Sequence, residues 1–238
     1  FVPIGGGGLS AGISEYLKQK GTKTEVFICE TTGKQTAKKS LEAGTNIELE
    51  KVDAFSDGTA VKKLGDKTFA VIKNNFDLEH VIQCPEGRVA KTILAFLFHE
   101  GIILEPAGAL SVDSLRSVRD HIRGKKIVCV ISGGNFDFER LPDIKERAMK
   151  FAGTKKYFIL RLPQRPGALK EFLGLLGPGD DIARFEYLKK SAKNFGSVLL
   201  GIETDKPENF DRFYAGMSAA GFEFSDVTED EILADFVI

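Results

Sequence analysis

The sequence predicts an α/β protein in which part of a parallel-sheet domain is followed by a smaller α+β domain of the ferredoxin-like type. Two observations support this fold class. Up to about residue 150, short apolar runs alternate with segments of helical spacing, which is typical of crossover units on a parallel sheet. From residue 155 the order becomes β-α-β-β-α-β, the split ferredoxin-like unit. We therefore expect two domains, 1–150 and 155–238, with a linker over 151–155.

The elements of the first domain follow from the spacing of its apolar residues. Strands are expected at Val2–Ile4, at Thr24–Cys29 and at Lys126–Ile131, and the last is apolar enough to be buried on both faces. A helix is expected directly after Gly5–Gly8. Four further helices are expected at Lys34–Ala43, Leu64–Asn74, Glu86–Glu100 and from Pro106 to about Ile122.

The second domain begins with Tyr157–Leu162, where apolar residues alternate as in a strand. A helix with apolar residues at i, i+3, i+4 and i+7 follows Pro166. The remaining elements are two strands, a helix and a last strand, expected at Ile182–Leu188, Val198–Ile202, around Phe210 to Met217, and at Phe222–Val227. The four strands would form one antiparallel sheet with both helices on the same face.

Composition excludes several classes of protein. The 238 residues are 42% apolar and 28% charged, with a formal net charge of −1, which is ordinary for a globular protein. Neither half carries the one-signed basic face that nucleic-acid binding needs. No apolar run approaches the roughly 20 residues of a membrane-spanning helix. We therefore expect neither a nucleic-acid partner nor a membrane partner.

The cysteines and histidines show no pattern of metal ligands. Cys29, Cys84 and Cys129 lie far apart, without CxxC or zinc spacing, and the three histidines form no HExxH motif. No metal is predicted, and unpaired cysteines fit a reducing compartment. The expected location is the cytoplasm, or a plastid if the source is a plant or an alga.

Four consecutive glycines follow the first strand and open a helix. They remove every Cβ from the turn, so a ligand can approach the main chain closely, and the helix start offers unpaired N–H groups to an anion. No Lys-Ser/Thr follows, as a Walker loop requires, and Glu25 and Glu30 are poorly placed for a dinucleotide fingerprint. The turn predicts a phosphate cradle; the alternative is a tight turn without a ligand.

A second turn of small residues, Ser132-Gly133-Gly134-Asn135, follows the strand predicted at 126–131. Ligands of open α/β sheets bind at the carboxyl ends of the strands. Ser132 is therefore a candidate ligand contact; the alternative is a turn that only caps a helix.

Four strings of the first domain match a known family: VPIGGGGLSAG (Val2–Gly12), DGTAVKKLG (Asp57–Gly65), EPAGAL (Glu105–Leu110) and VISGGN (Val130–Asn135). In these strings the domain resembles the fold-type II (tryptophan synthase β-like) enzymes, which use pyridoxal 5'-phosphate (PLP). Within that group it looks most like the threonine ammonia-lyases, with serine racemases and serine dehydratases as relatives.

This resemblance implies a role for each matching residue. Ser132 would hydrogen-bond the pyridine nitrogen of PLP, Gly58 would lie near the cofactor ring, and Glu105 would form part of the wall of the site. The phosphate would be held by main-chain N–H groups of Gly5, Gly6, Gly7, Gly8 and Leu9.

The second domain resembles the ACT-like regulatory domain of biosynthetic threonine ammonia-lyases, in the short form with one such unit. The matching strings are LPQRPGAL, within Phe158–Leu169, and FLGLLGPGDDIARFEY, Phe172–Tyr187. The resemblance implies L-isoleucine as an inhibitor, L-valine as a candidate activator, and a homotetramer. An effector site is expected at Arg165, Gly167, Phe185 and Tyr187; the alternative for the two aromatic residues is ordinary sheet packing.

Two departures from the family pattern matter. The Schiff-base lysine of the family lies in its N-terminal part, in a Ser/Phe-Lys-x-Arg-Gly setting that no lysine here has, so no catalytic residue is assigned in this chain. Accordingly, Phe1 is expected to lie inside a longer protein. Some relatives hold a divalent metal on a Glu, a carbonyl and an Asp; Glu30 fits the first position, but Thr36 stands in place of the Asp.

The function implied is PLP-dependent deamination of L-threonine to 2-oxobutanoate and ammonia, the first step of isoleucine biosynthesis, under inhibition by isoleucine. The chain as written would be inactive on its own. Two alternatives stay open: another fold-type II serine or threonine dehydratase or racemase, and a non-catalytic fragment that only binds an amino acid.

Overall fold

The computed structural model describes residues 1–188 and 194–230. The chain divides into two compact units, Phe1–Lys145 and Glu146–Ile238. Each unit has a sheet of its own, parallel in the first and antiparallel in the second. The expected fold class, an α/β part with a parallel sheet followed by an α+β unit with an antiparallel sheet, is confirmed.

The sheet of the first unit has three short parallel strands in the order β1 (Val2–Pro3), β2 (Ile28–Thr31) and β3 (Val81–Cys84). All four residues of β2 are buried, as expected for a central strand covered on both faces. The apolar pattern did not predict β3, because it has only four residues and includes the polar Gln83.

Five helices surround this sheet: α1 (Gly8–Gln19), α2 (Thr36–Ala43), α3 (Asp66–Asn75), α4 (Glu86–Glu100) and α5 (Pro106–Asp113). The last ends well before the expected Ile122 and continues as a 3-10 turn over Ser114–Val118. Its end is fixed by the buried carboxylate of Asp113, which accepts hydrogen bonds from Arg88 and Thr92 of α4. In the described ranges, no helix has both the length and the apolar content that a membrane crossing requires.

The structure has no strand at Lys126–Ile131, where the sequence predicted one. These residues belong to no strand, and Val128 is 73% exposed, so burial on both faces was a wrong expectation. The segment pairs with the rest of the sheet through Phe1, whose amino group donates to Val128 O at 2.8 Å and whose carbonyl accepts from Val130 N–H at 3.0 Å. One residue of contact is too little to form a ladder or to cover the segment.

The next helix is α6 (Leu141–Ala152), which the sequence did not predict. It includes Phe151 and Ala152, which had been expected to begin a linker. After it come β4 (Lys155–Pro163), α7 (Ala168–Leu173), β5 (Asp180–Leu188), β6 (Phe195–Thr204), α8 (Asn209–Ala219) and β7 (Glu223–Asp226).

The four strands of the second unit form an antiparallel sheet in the order β5-β6-β4-β7. Alternate residues of β4 and β6 share a core with buried residues of α7 and α8, so both helices pack on one face, as expected. This core consists of Phe158, Leu160, Leu162, Ala168, Phe172, Val198, Leu200, Ile202, Phe210, Phe213, Met217 and Phe222.

Candidate cofactor and effector sites

The glycine turn joins β1 to α1 and has a left-handed residue at its centre. Gly7 caps α1 with φ of +89°, a conformation that L side chains adopt at a cost. A Cβ at Gly7 would also lie 3.0 Å from Thr68 Oγ1, and a Cβ at Gly5 would lie 3.3 Å from Thr59 Cα. The turn therefore needs glycine for its shape and for the close approach of its neighbours.

The N–H groups of the turn are available to a ligand. In the described part of the chain, the N–H groups of Gly6, Gly7, Gly8 and Leu9 make no hydrogen bond. Nothing lies within 4 Å of the positions that a Cβ would take at Gly6 and Gly8. Unpaired donors at the N-terminus of a twelve-residue helix, with open space beside them, fit a phosphate group.

The carbonyl groups of the turn, in contrast, are all engaged. The Gly6 carbonyl accepts from the N–H of Gly65 at 3.0 Å and from the Thr68 hydroxyl at 2.6 Å. Both donors belong to the start of α3 or the residue that precedes it. The turn is thus anchored to a neighbouring helix through its acceptors, which leaves its donors free.

The preceding two carbonyls are engaged by Lys34, a residue that the sequence patterns did not single out. Its ammonium donates to Ile4 O at 2.8 Å and approaches Gly5 O at 3.4 Å, and it lies 3.6 Å from Oε2 of Glu30. Both side chains of this ion pair are almost fully buried. Burial lowers the pKa of Lys34, and the Glu30 carboxylate partly opposes that shift.

Two of the three other predicted cofactor contacts, Gly58 and Glu105, lie close to the glycine turn or to one another. A Cβ at Gly5 would lie 3.4 Å from the carbonyl oxygen of Gly58. A Cβ at Gly58 would lie 3.3 Å from Glu105 Oε1, and one at Gly133 would overlap the Glu105 carboxylate. The glycine turn, the Gly58 turn, Glu105 before α5, and Gly133 therefore lie next to one another.

Ser132 directly precedes Gly133 in the chain and so lies near these residues. Its side chain is exposed and makes no hydrogen bond to any residue in the described ranges. Its pairing with a pyridine nitrogen stays a prediction, as do the cofactor contacts of the glycine turn.

The Gly58 turn is held by an arginine that sequence reasoning missed. Arg140 donates to the carbonyl of Phe55 at 2.7 Å and lies 3.2 Å from the Asp57 carboxylate. These contacts fix the short 3-10 segment Ala54–Thr59. Because the partners are 85 residues apart in sequence, no local pattern could have revealed them.

The second unit contains a pocket of about 640 Å³ between α7 and β5. All four residues expected to contact an effector line it: Arg165, Gly167, Phe185 and Tyr187. The aliphatic part of its wall comes from Leu162, Ala168, Leu169 and Leu173.

The register of β5 explains why its aromatic residues share this pocket. Phe185 pairs with Leu200 and Tyr187 pairs with Val198, and both partners belong to the core beneath the helices. Cross-strand partners lie on the same face of a sheet. The ring of Tyr187 lies against Gly196, where any Cβ would overlap it.

The turn into α7 contains a left-handed glycine, Gly167, with φ of +87°. Because α7 has only six residues, its N-terminus offers little to a carboxylate. A nearby cation is Arg165, which pairs with the exposed carboxylate of Glu171 at 2.5 Å.

Two protein families match the chain, one for each unit. The family described as pyridoxal-phosphate dependent enzymes matches residues 1–133. The C-terminal regulatory domain of threonine dehydratase matches residues 146–237.

Curated relatives match along the same length. The chain is 44% identical over 239 residues to the L-threonine dehydratase biosynthetic IlvA of Halalkalibacterium halodurans, covering 100% of this chain and 57% of the relative. It is 42% identical over 239 residues to the protein of the same name from Bacillus subtilis, covering 100% and 56%. The Staphylococcus aureus protein of that name is 47% identical over 205 residues, covering 85% and 48%. The chain thus spans about half the length of the curated relatives it matches.

Solved structures match part of the chain. The processed form of threonine deaminase isoform 2 from Solanum lycopersicum matches with a TM-score of 0.58 and 31% identity, covering 62% of this chain and 43% of that one. Maize serine racemase matches with a TM-score of 0.53 and 26% identity, covering 60% and 44%. With the glycine turn, the family match over more than half of its length and the regulatory unit behind it, the chain belongs to the family of pyridoxal-phosphate dependent enzymes.

Proposed function

We propose that this chain forms part of an enzyme that deaminates L-threonine to 2-oxobutanoate and ammonia under inhibition by L-isoleucine. One observation carries the proposal. A single chain combines a unit that matches PLP-dependent enzymes with a unit that matches the regulatory domain of threonine dehydratase. The relatives that match both units are named biosynthetic threonine dehydratases.

The residues of the first unit would bind and orient PLP. We assign its phosphate to the N–H groups of the glycine turn, Gly5 to Leu9, and its pyridine nitrogen to the hydroxyl of Ser132. Bound PLP withdraws electrons from the Cα of an attached amino acid and so eases the loss of a proton there. A neutral hydroxyl partner leaves the ring nitrogen unprotonated, which suits elimination of a β-hydroxyl group. Gly58 would lie near the ring, and Glu105 would form part of the wall of the site.

The first unit holds its donors in place before a ligand arrives. The anchored carbonyls of the glycine turn and the contacts of Arg140 with Phe55 and Asp57 restrain the loops around the site. Such preorganisation lowers the entropy that ordering would otherwise cost on binding. The lysine that removes the Cα proton is assigned to the part of the relatives' length that this chain does not cover.

The pocket of the second unit is suited to an amino acid with a branched aliphatic side chain. Its aliphatic and aromatic walls would receive the side chain, between Leu173, Phe185 and Tyr187, and Arg165 would receive the carboxylate by exchanging its partner Glu171. We assign this pocket to L-isoleucine, with L-valine as a competitor that relieves inhibition, in a homotetrameric enzyme. Coupling of this kind between effector and active site typically amounts to about 1–3 kcal/mol.

The test is release of 2-oxobutanoate from L-threonine and PLP, with and without L-isoleucine, by the full-length protein and by residues 1–238 alone. We expect turnover that isoleucine suppresses from the full-length protein, and none from residues 1–238 alone. Absence of turnover from PLP-loaded full-length protein would contradict the proposal.

The likeness to serine racemases favours a second candidate, and the same preparation tests it. Incubation with L-serine and chiral analysis of the product would show D-serine if the protein is a racemase. The regulatory unit favours the deaminase, because it matches the domain that is named for threonine dehydratase.

A further inference from the structure

Lys34 is a charged residue in an unusual place. It lies in the turn between β2 and α2, and 1% of its side chain is exposed. Buried ions are costly unless they are paired and hydrogen-bonded, and an apolar residue of similar size is often as stable at such a position. The packing of the first unit alone therefore gives no reason for an ammonium group here.

The partners of Lys34 suggest what the charge does. Two of them are the main-chain carbonyls of Ile4 and Gly5, at 2.8 and 3.4 Å, where β1 runs into the glycine turn. The third is Glu30, at 3.6 Å. Two carbonyls and one carboxylate around a buried positive charge resemble the surroundings of a bound cation.

Glu30 cannot move to follow the lysine, because three other donors hold its carboxylate. The N–H groups of Ala37 and Lys38, at the start of α2, each donate to it at 3.0 Å, and Gln83 Nε2 of β3 donates at 2.8 Å. The ammonium is therefore fixed between a rigid carboxylate and the glycine turn.

The planar peptide bond links the carbonyls that Lys34 holds to the N–H groups of the glycine turn. The peptide bonds here are trans, so each C=O points opposite to the N–H of the next residue. The carbonyl of Ile4 shares its peptide plane with the N–H of Gly5, and that of Gly5 shares its plane with the N–H of Gly6. A cation that holds the two carbonyls therefore points the N–H groups of Gly5 and Gly6 away from Lys34. It also polarises the two peptide groups, which makes these N–H groups stronger hydrogen-bond donors.

We propose that Lys34 is a positioning residue for the phosphate of PLP: its buried ammonium fixes the first two peptide planes of the glycine turn. The proposal deepens the cradle assigned above and rests on it. It predicts that loss of the ammonium weakens recognition of the phosphate in particular, and not binding of the cofactor ring.

The experiment compares PLP with pyridoxal, which lacks the phosphate, on full-length protein. Dissociation constants for both are measured by absorbance titration, and the ³¹P chemical shift of bound PLP is recorded. The variant Lys34→Met keeps the length of the side chain and removes its charge. Lys39→Met, an exposed position of α2, is the matched control. Glu30→Gln/Lys34→Met removes both charges, so that no unpaired carboxylate is left buried.

We expect both Lys34→Met proteins to bind PLP at least tenfold more weakly, with a shifted ³¹P signal, while the dissociation constant for pyridoxal changes less than twofold. Equal weakening of both ligands, unchanged PLP binding, or recovery of wild-type PLP affinity in the double variant would overturn the proposal. Failure of both variants to fold would show that the pair serves the fold, and would overturn it as well. None of these readouts needs threonine turnover, so a failure of the proposed reaction is recognised separately.

Discussion

Both units place a left-handed glycine between a strand and a helix, at Gly7 and at Gly167, but they surround that glycine differently. A Cβ at Gly7 would press on Thr68, whereas nothing lies within 4 Å of the corresponding position at Gly167. The first turn is enclosed by other loops and has its carbonyls anchored. The second opens on a pocket walled by the side chains of β5.

This difference shows two ways to build a site from the same local geometry. The first site is made of main chain, so its shape depends on residues that have no side chain and on the groups that hold their carbonyls. The second is made of side chains, so its shape depends on which face of a strand they occupy. A substitution in the turn should therefore damage the first site, and a substitution in the strand should damage the second.

The largest effect is expected for Gly7→Ala. A Cβ there meets Thr68 Oγ1 at 3.0 Å, and a left-handed φ of +89° costs about 1–3 kcal/mol for a residue other than glycine. We expect the dissociation constant for PLP to rise by about 10- to 100-fold. The control is Gly12→Ala, in α1, where a Cβ has nothing within 4 Å and the helix favours alanine. Equal PLP affinity of the two variants would contradict the view that the first site depends on the main-chain shape of the glycine turn.

A smaller effect, confined to regulation, is expected in β5. Tyr187→Ala removes an aromatic ring from the wall of the effector pocket. Gly196→Val displaces the ring of Tyr187, because any Cβ at Gly196 would overlap that ring. Each should raise the isoleucine concentration for half inhibition by about tenfold, within the usual range of allosteric coupling, and leave uninhibited turnover nearly intact. Leu188→Ala, at an exposed neighbouring residue of β5, is the control. Unchanged inhibition in both pocket variants would place the effector elsewhere.

The smallest effect concerns the stability of the second unit and its dependence on pH. Burial raises the pKa of Asp226, but hydrogen bonds from Thr228 and Tyr214 outweigh it, so its pKa lies below the ordinary value. A lowered carboxyl pKa contributes stability above the unfolded pKa, and that stability is lost as pH falls through the folded pKa. Because the group is partly exposed, Asp226→Asn should cost no more than about 1 kcal/mol at pH 7. The free energies of unfolding of the wild type and of Asp226→Asn, measured by urea unfolding, should differ at pH 7 and become equal in strong acid. A difference that stays constant with pH would contradict the lowered pKa of Asp226.

The sequence predicted the second unit more completely than the first. Its longer strands give a clear apolar signal, so β4 and β6 were expected close to where they lie. The β5 face that carries Phe185 and Tyr187 could be inferred from their spacing. In the first unit, β3 is too short for a periodic signal, and 126–131 is apolar without being buried.

The candidate cofactor site was likewise predicted from the sequence only in part. The glycine turn could be singled out because four consecutive glycines after a strand are a strong local pattern. Its supports could not be, since Lys34 and Thr68 reach it from 29 and 62 residues away through side-chain contacts with main-chain carbonyls. A local sequence pattern can therefore identify the residues of such a turn that would face a ligand. It cannot identify the side chains that fix the geometry of the turn, because the tertiary fold brings these from distant parts of the sequence.

The register of β5 shifts by one residue between Ile182 and Arg184. Because of this shift, Ile182 and Phe185 both pack on the core despite their odd spacing. Deletion of Ala183 would remove the extra residue and restore plain alternation, with Phe185 and Tyr187 still on the face that carries Ile182. Homologues that differ in length here should thus be aligned by strand face and not by residue identity, because one gap placed wrongly would assign ligand contacts to side chains on the opposite side of the sheet.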